Sequence, residues 1–391
     1  MTTIAFVVGE ASGDRIGADL IRALRPKLGD ELQLVGLGGE AMQAEGLDSL
    51  FDIDELSIIG IGAILARLPQ LMRRLSQVAD AVIAARPDIL VIIDSPTFSH
   101  RVAKRVRDKL PDVPIVNYVP PTVWAWREER AQKMRAYVDH AICILPFEPA
   151  TMKRLAGPPS TYVGHPLMRV PALAQMIADP ARTAPERTPA APPRLLILPG
   201  SRRGEINRLI DDFGRTFDVL RGRMPGVTAV IPALERHRPL IEQKIAGWEV
   251  KPKIVTGEAA KWAAFAEADA ALAASGTVSL ELALADVPMA LAYRLDPVAY
   301  QFRHLISAWT AAMPNFIVGH ALVPEHFHEF VRPEMLARRL ERLMTPTPER
   351  AAQRAGFADI REMMRIDVAP GEAAAAIVVD CIARGRTFTQ T

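Results

Sequence analysis

Short blocks of consecutive apolar residues alternate along this chain with longer stretches whose apolar positions recur every three or four residues. Such blocks suit strands covered on both faces, and the wider spacing suits helices with one buried stripe. The alternation therefore predicts parallel sheets flanked by helices. In the first half the predicted strands are Ile4–Val8, Leu32–Leu37, Ile89–Ile93, Pro114–Val119 and His140–Leu145. Helical spacing follows at Gly17–Leu24, Ile58–Ala84, Ser99–Leu110 and Trp126–Tyr137. The pattern lapses over residues 171–193, which hold six prolines and many alanines. Proline neither continues a helix nor donates to a ladder, so this stretch predicts an extended linker. Alternation then resumes with strands at Arg194–Leu198, Val227–Ile231, Lys253–Val255, Ala268–Ala273 and Met289–Ala292. The helices between them are Arg202–Arg221, Glu235–Ala246 and Val278–Ala285, and from Pro333 onward the pattern is helical without a strand.

The expected architecture is α/β, with two Rossmann-like parallel-sheet domains over residues 1–170 and 194–332 that face a cleft. Residues 171–193 join them, and residues 333–391 form a helical C-terminal segment. Ligands of such sheets bind at the carboxyl ends of the strands and in clefts.

Composition narrows the function. A length of 391 residues suits two cores, and 49% apolar with 24% charged residues is ordinary for a globular chain. Lys plus Arg (47) nearly balances Asp plus Glu (45), a net charge of +2 that argues against nucleic-acid binding through a global field. Two cysteines, Cys143 and Cys381, are too few for a disulfide framework or a structural zinc site, which fits a reducing compartment. The N-terminus lacks the basic start of a signal peptide. The longest uncharged apolar run, Leu56 to Ala66, is about half of the ~20 residues a membrane-spanning helix needs. The expectation is a soluble cytoplasmic protein that touches a membrane without crossing it.

The sharper chemical signals lie in the second half. Leu195–Leu198 runs into Pro199-Gly200-Ser201-Arg202-Arg203-Gly204-Glu205, a strand, a glycine turn and a helix start. Free amides at a helix start favour an anion, and Arg202 adds a fork of charged donors suited to phosphate. An ordinary glycine turn with a surface arginine fits the same residues. Ser275-Gly276-Thr277 again follows a strand and opens a helix, where hydroxyls and amides suit a diphosphate. Glu281 follows one helical turn later, placed to accept the hydroxyls of a ribose; a plain cap with a helix-stabilising glutamate is the alternative. No GxxxxGK[ST] sequence occurs, which disfavours a nucleoside triphosphatase.

In the first half, Gly9-Glu10-Ala11-Ser12-Gly13-Asp14 follows the first strand without the GxGxxG spacing of a dinucleotide fingerprint. Ser12 and Asp14 are either ligands for hydroxyls or helix caps. Asp94 ends the apolar run Ile89–Ile93, where partial burial would raise its pKa toward that of a useful base; an Asx turn before Pro96 is the competing reading. Trp124 and Trp126 offer aromatic faces for sugars or acyl chains, although core packing is the commoner use of tryptophan. Over residues 58–75 apolar positions recur at Ile61, Ile64, Leu65, Leu68, Leu71, Met72 and Leu75, with Arg67, Arg73 and Arg74 as the charges and no acid. That composition allows either a core-facing helix or one lying on anionic lipid.

These residues together resemble the lipid A disaccharide synthases, glycosyltransferases of the GT-B fold. The likeness rests on GEASGD (9–14), GLGGEAMQAEG (36–46), IIGIGAILARLPQLMRRL (58–75), PDILVIIDSP (87–96), VWAWR (123–127), ILPFEP (144–149), YVGHP (162–166), LPGSRRGE (198–205), ASGTVSLE (274–281), MPN (313–315) and VPE (323–325), in that order. The resemblance implies transfer of 2,3-diacylglucosamine from UDP-2,3-diacylglucosamine to 2,3-diacylglucosamine 1-phosphate, forming a beta-1,6-linked disaccharide 1-phosphate and UDP. It implies that Arg202, Ser275, Gly276, Thr277 and Glu281 hold UDP, that Asn315 lies near the donor, and that Asp94 serves catalysis. Ser12, Asp14, Trp124 and Trp126 fall to the acceptor. Ile61, Ile64, Leu65, Leu68, Arg67 and Arg73 fall to contact with the inner face of the inner membrane. No cofactor or metal is expected, and a homodimer stays open. The chain departs from the family pattern at Thr97, Pro120 and His328, departures that leave the nucleotide site intact and bear on acceptor-side details, acyl preference included. Another GT-B UDP-sugar transferase, a UDP-sugar epimerase and a nucleotide-sugar-binding module without turnover are the alternatives.

Overall fold

The computed structural model describes residues 1–29, 31–56, 61–184, 189–190, 192–301 and 308–386, with the side chains of 61–67 and 298–299 outside that description. Two compact units emerge, one formed by residues 1–166 and 366–391 and the other by residues 167–365.

The first unit holds a six-stranded parallel sheet of β1 (Thr2–Val8), β2 (Leu32–Leu37), β3 (Ile89–Ile93), β4 (Ile115–Tyr118), β5 (His140–Cys143) and β6 (Ser160–Tyr162). Their order across the sheet is β2-β1-β3-β4-β5-β6. The apolar blocks of β1 and β3 are buried throughout their cores because helices cover both faces. The order reverses between β1 and β3, and Val8 pairs with Ile93, so Gly9 and Asp94 leave the sheet side by side. Ligands of open α/β sheets favour that crevice.

The second unit repeats the plan with β7 (Arg194–Leu198), β8 (Thr228–Ala233), β9 (Lys253–Thr256), β10 (Ala270–Ala274), β11 (Met289–Tyr293) and β12 (Glu325–Phe327), all parallel, in the order β12-β11-β10-β7-β8-β9. Here the reversal lies between β7 and β10, whose exits carry Gly200 and Ser275. Three long helices, Arg203–Arg223, Pro333–Leu343 and Pro348–Met363, belong to this unit, and the first two pack onto the core with Phe213, Phe217, Leu336 and Leu340 fully buried.

Two expectations about organisation need correction. Residues 171–183 are not extended: they form helices Pro171–Ala178 and Pro180–Thr183. Each proline occupies a first helical position, where its missing N–H costs nothing, and Asp179 caps the second helix by accepting from Ala181 N at 2.9 Å. Arg182, buried, donates to Ala285 O and Phe265 O, both at 2.9 Å, and ties this stretch to the second unit. Residues 185–188 and 191 of the expected linker lie outside the described residues.

The C-terminal segment is likewise not one body. Its helices up to Met363 belong to the second unit, whereas Pro370–Arg384 belongs to the first. The last helix buries Ala374, Ala375, Val378 and Cys381 in the core that contains Leu20, Ile21 and Leu24. Helical spacing predicts that stripe but not which sheet it covers.

Candidate functional site

At the β7/β10 switch of the second unit lies a cavity of about 640 Å³. Its walls bring together Arg202, Ser275, Gly276, Thr277 and Glu281, five residues that lie up to 79 positions apart in sequence. Pro232–Leu234 at the end of β8 and Gly257 after β9 help to complete it. Ser275 Oγ donates to Ala311 O at 2.8 Å, which steadies the turn, and Ser279 N closes back on Gly276 O at 3.0 Å. Gly276 sits at φ 149°, open to any residue's approach, and both it and Thr277 are exposed. Leu280 N likewise closes on Thr277 O at 3.0 Å, so the amides of this turn that can meet an anion are those before Ser279.

Glu281 has a partner that the sequence reading missed. Lys261 Nζ donates to Glu281 Oε1 at 3.1 Å and also lies 3.3 Å from Glu258. Burial pushes the Glu281 pKa above the usual carboxylate range, with Glu258 adding to the rise, while the charge and hydrogen bond of Lys261 oppose it. Lys261 therefore favours the ionised form, the form that accepts two hydroxyls. Lys261 stands on helix Glu258–Glu267, where no helix was expected. The available signal was Gly257-Glu258 directly after a strand, the same strand–glycine–helix pattern as at Gly200. His237 lines the cavity too, with Nε2 donating to Ser201 O at 3.0 Å.

The glycine turn after β7 corrects one expectation. Ser201 N and Arg202 N, two of the amides offered to an anion, donate instead to Glu205 Oε2 at 3.1 and 3.3 Å. Arg202 Nη1 also reaches Glu205, at 3.1 Å, and its side chain is three-quarters exposed. A carboxylate of the chain's own already fills this half of the cradle, as a capping box does. Gly200 makes room for it: at φ 116°, a Cβ there would stand 2.6 Å from Glu205 Oε2.

Asn315 is the second correction. It is fully buried outside that cavity, donating to Val323 O (3.1 Å) and Thr310 Oγ1 (3.0 Å) and accepting from Leu322 N and Val323 N. Its amide closes the loop before β12, so its polar atoms serve the fold.

In the first unit, Asp94 leaves β3 at φ 52°, a conformation that aspartate tolerates better than most residues. Its N–H donates to Tyr118 O at 3.2 Å, Ser95 N donates to its Oδ1 at 2.8 Å, and Ser99 Oγ holds its carbonyl at 2.6 Å. Burial raises its pKa from the usual value, while the Ser95 amide and the Ser12 hydroxyl, both hydrogen-bonded to the carboxylate, moderate the rise. Ser12 and Asp94 are thus brought together at the β1/β3 switch. Asp14 is not with them. It is buried, and its carboxylate accepts from Gly39 N (2.8 Å), Ala41 N (2.9 Å) and Met42 N (3.1 Å). It caps the helix Glu40–Ala44, which corrects its assignment to substrate.

Trp124 is half-buried, packs edge-on against Phe147 at 5.3 Å, and donates from Nε1 to Glu148 at 3.2 Å. Trp126 is 44% exposed. Of the stretch expected at a membrane, residues 57–60 and the side chains of Ile61, Ile64, Leu65 and Arg67 lie outside the described residues. The helix Ile61–Ala85 divides beyond them: Leu75, Val78, Ala79 and Val82 enter the core, whereas Leu68, Met72 and Arg73 are exposed. Among the described residues no helix is long and apolar enough to cross a membrane.

Similarities to known proteins give the family and the fold of the chain. The sequence profile of a family described as Lipid-A-disaccharide synthetase matches residues 4–377. A lipid-A-disaccharide synthase of Rhodopseudomonas palustris is 47% identical over 380 residues, covering 97% of this chain and 96% of that protein. One from Nitrobacter hamburgensis is 45% identical over 388 residues, covering 98% and 96%. Among solved structures, the glycosyltransferase of kitacinnamycin superposes with a TM-score of 0.63 at 15% identity, covering 97% of this chain and 99% of that one. The UDP-GlcNAc 2-epimerase of Neisseria meningitidis bound to UDP-GlcNAc superposes with a TM-score of 0.59 at 13% identity, covering 98% and 100%. The calicheamicin glycosyltransferase CalG4 does so with a TM-score of 0.56 at 16% identity, covering 98% of each. At such identities these structures establish the GT-B fold and nothing finer.

Proposed function

The chain belongs to the lipid-A-disaccharide synthase family, and from that membership we propose how its residues perform the transfer of 2,3-diacylglucosamine from its UDP conjugate to 2,3-diacylglucosamine 1-phosphate. The observation that carries the proposal is the gathering of Ser275, Gly276, Thr277, Glu281, Arg202 and Lys261 around one cavity at the β7/β10 switch.

In this reading UDP occupies that cavity. Glu281, whose ionised form Lys261 favours, accepts the ribose hydroxyls, and the Ser275–Thr277 turn donates to the diphosphate. The acceptor 6-hydroxyl oxygen attacks the anomeric carbon, the bond from that carbon to the diphosphate oxygen breaks, and the configuration inverts. Asp94 takes the hydroxyl proton, a role its raised pKa suits. UDP leaves with the bonding electrons, its growing charge met by Lys261, Arg202 and the turn amides. No step needs a metal or cofactor. The exposed Leu68, Met72 and Arg73 supply contact with the inner face of the inner membrane, where the acylated substrates reside.

The test supplies purified protein with both acylated monosaccharides and follows UDP release and a tetra-acylated disaccharide phosphate. Use of UDP-GlcNAc without acyl chains in place of the acylated donor would overturn the substrate assignment.

A further inference from the structure

Arg127 Cζ lies 4.5 Å and Arg130 Cζ 5.1 Å from the centroid of the Trp126 ring, so one exposed indole carries two guanidinium groups. Lys104 Nζ approaches the neighbouring Tyr137 ring at 4.9 Å. Elsewhere in the described structure a cation on an aromatic ring also has an acid. Arg74 over Phe51 is paired with Glu55 at 2.6 Å, and Lys261 over Trp262 is paired with Glu281 at 3.1 Å. Among the described residues, no carboxylate pairs with Arg127, Arg130 or Lys104, and the adjacent Glu128 turns to Arg154 at 3.4 Å. The positive field reaches inward: burial first, then the charges of Lys104 and Arg130, hold the His100 pKa down to about 4.

The ring fixes both arginines without neutralising them, which leaves their N–H forks free for an external anion. Two guanidinium groups on one platform suit a phosphate monoester, which carries up to two charges and accepts paired N–H bonds. The loop bearing Trp126 follows β4, and β4 pairs with β3 so that Tyr118 stands opposite Ile93, next to Asp94. Base and cations therefore leave neighbouring strands at the carboxyl end of the sheet. The reaction involves two phosphorylated species. The diphosphate has donors in the second unit, while the phosphate of the acceptor has none assigned. We propose that Arg127 and Arg130, stacked on Trp126, bind the 1-phosphate of the acceptor sugar.

This inference rests on the acceptor assigned above, and its test needs no turnover. Binding of 2,3-diacylglucosamine 1-phosphate and of 2,3-diacylglucosamine is measured without donor, in detergent, for the intact chain and for the Arg127→Gln/Arg130→Gln variant. The unsubstituted protein should bind the phosphorylated sugar about tenfold tighter or more, and the variant should bind both sugars alike. Arg130→Lys, which keeps a charge, should restore part of the preference, and unchanged thermal unfolding of the variants excludes misfolding. A double variant that still prefers the phosphorylated sugar overturns the proposal, as does an unsubstituted protein with no preference. Loss of binding to phosphatidylglycerol vesicles with the sugar preference intact would assign the arginines to lipid headgroups and also overturn it. Failure of UDP release in the presence of both substrates, with the phosphate preference intact, would count against the reaction and not against this site.

Discussion

Lys261 Nζ lies 3.1 Å from Glu281 Oε1, a pair in which both side chains are largely withdrawn from solvent at 22% and 16% exposure. The two residues are 20 positions apart, on successive helices that flank β10 in sequence. The other titratable side chains that line this cavity are Glu258 on the helix of Lys261, and Arg202, Glu205, Glu235 and His237. Water screens the pair weakly there, so the lysine positions the carboxylate and opposes the rise that burial gives its pKa.

Lys261→Met should weaken UDP binding about tenfold, the size of one charged hydrogen bond at ~1.5 kcal/mol. The pH dependence separates this from a packing defect. Burial already raises the Glu281 pKa, and removing the lysine removes the opposing influence, so the pKa rises further. Affinity should then fall, as pH is lowered, at a higher pH in the variant than in the unsubstituted protein. Calorimetric titration of UDP from pH 5 to 9 checks this, and Lys261→Arg should return most of the affinity.

Asp94→Asn should lower kcat by about 10²–10⁴ with UDP affinity unchanged, because the second unit alone lines the cavity proposed for UDP. Ser12→Ala tests the support of the base. The Ser12 hydroxyl lowers the Asp94 pKa, so its loss should raise it and move the acid limb of the kcat/KM profile to higher pH. An unmoved limb with reduced kcat would mean that Ser12 acts elsewhere.

What the sequence disclosed follows from burial. Strands such as Ile89–Ile93 and Ala270–Ala274 are covered on both faces and read as unbroken apolar blocks. Edge strands β6 (Ser-Thr-Tyr) and β12 (Glu-His-Phe) are three residues long, carry polar side chains and leave no such block. The prolines at 171 and 180 were legible as breaks but start helices, since a first helical position and an extended segment both suit proline. Asp14, Asn315 and Glu205 show the same ambiguity in the site. A short polar side chain that caps a helix or closes a loop has the same sequence appearance as one that binds a ligand, and the choice is made by which amides the fold brings to it. Lys261 stayed hidden because its role depends on a partner 20 residues away on another helix.

Gly200→Ala places a side chain at φ 116° and drives its Cβ to 2.6 Å from Glu205 Oε2. Strain of this kind costs about 1–3 kcal/mol, before the displaced carboxylate releases Ser201 N and Arg202 N. Gly276→Ala provides the comparison, since its φ of 149° carries strain but a Cβ there meets nothing within 4 Å. Denaturant unfolding should show the larger loss for Gly200→Ala, and equal losses would remove the Glu205 latch from the account.

Glu148 gives the first unit a pH-dependent stability. It is buried, it accepts from Ile144 N, Leu145 N and Trp124 Nε1, and burial pushes its pKa up to about 7 despite those three donors. An unfolded chain would release the same proton near 4.5. Between those values the folded state holds a proton that the unfolded state has lost, so this contribution is complete below the lower value and disappears as pH rises through the upper one. At about 1.4 kcal/mol for each pH unit between them, the full swing is about 3 kcal/mol. Glu148→Gln cannot titrate and keeps the shape. The stability of the unsubstituted protein relative to that variant should therefore fall steadily from pH 4.5 to 7 and level off above. Denaturant unfolding monitored through tryptophan fluorescence measures that difference, and a difference independent of pH would show that Glu148 is already ionised in the folded protein at pH 5.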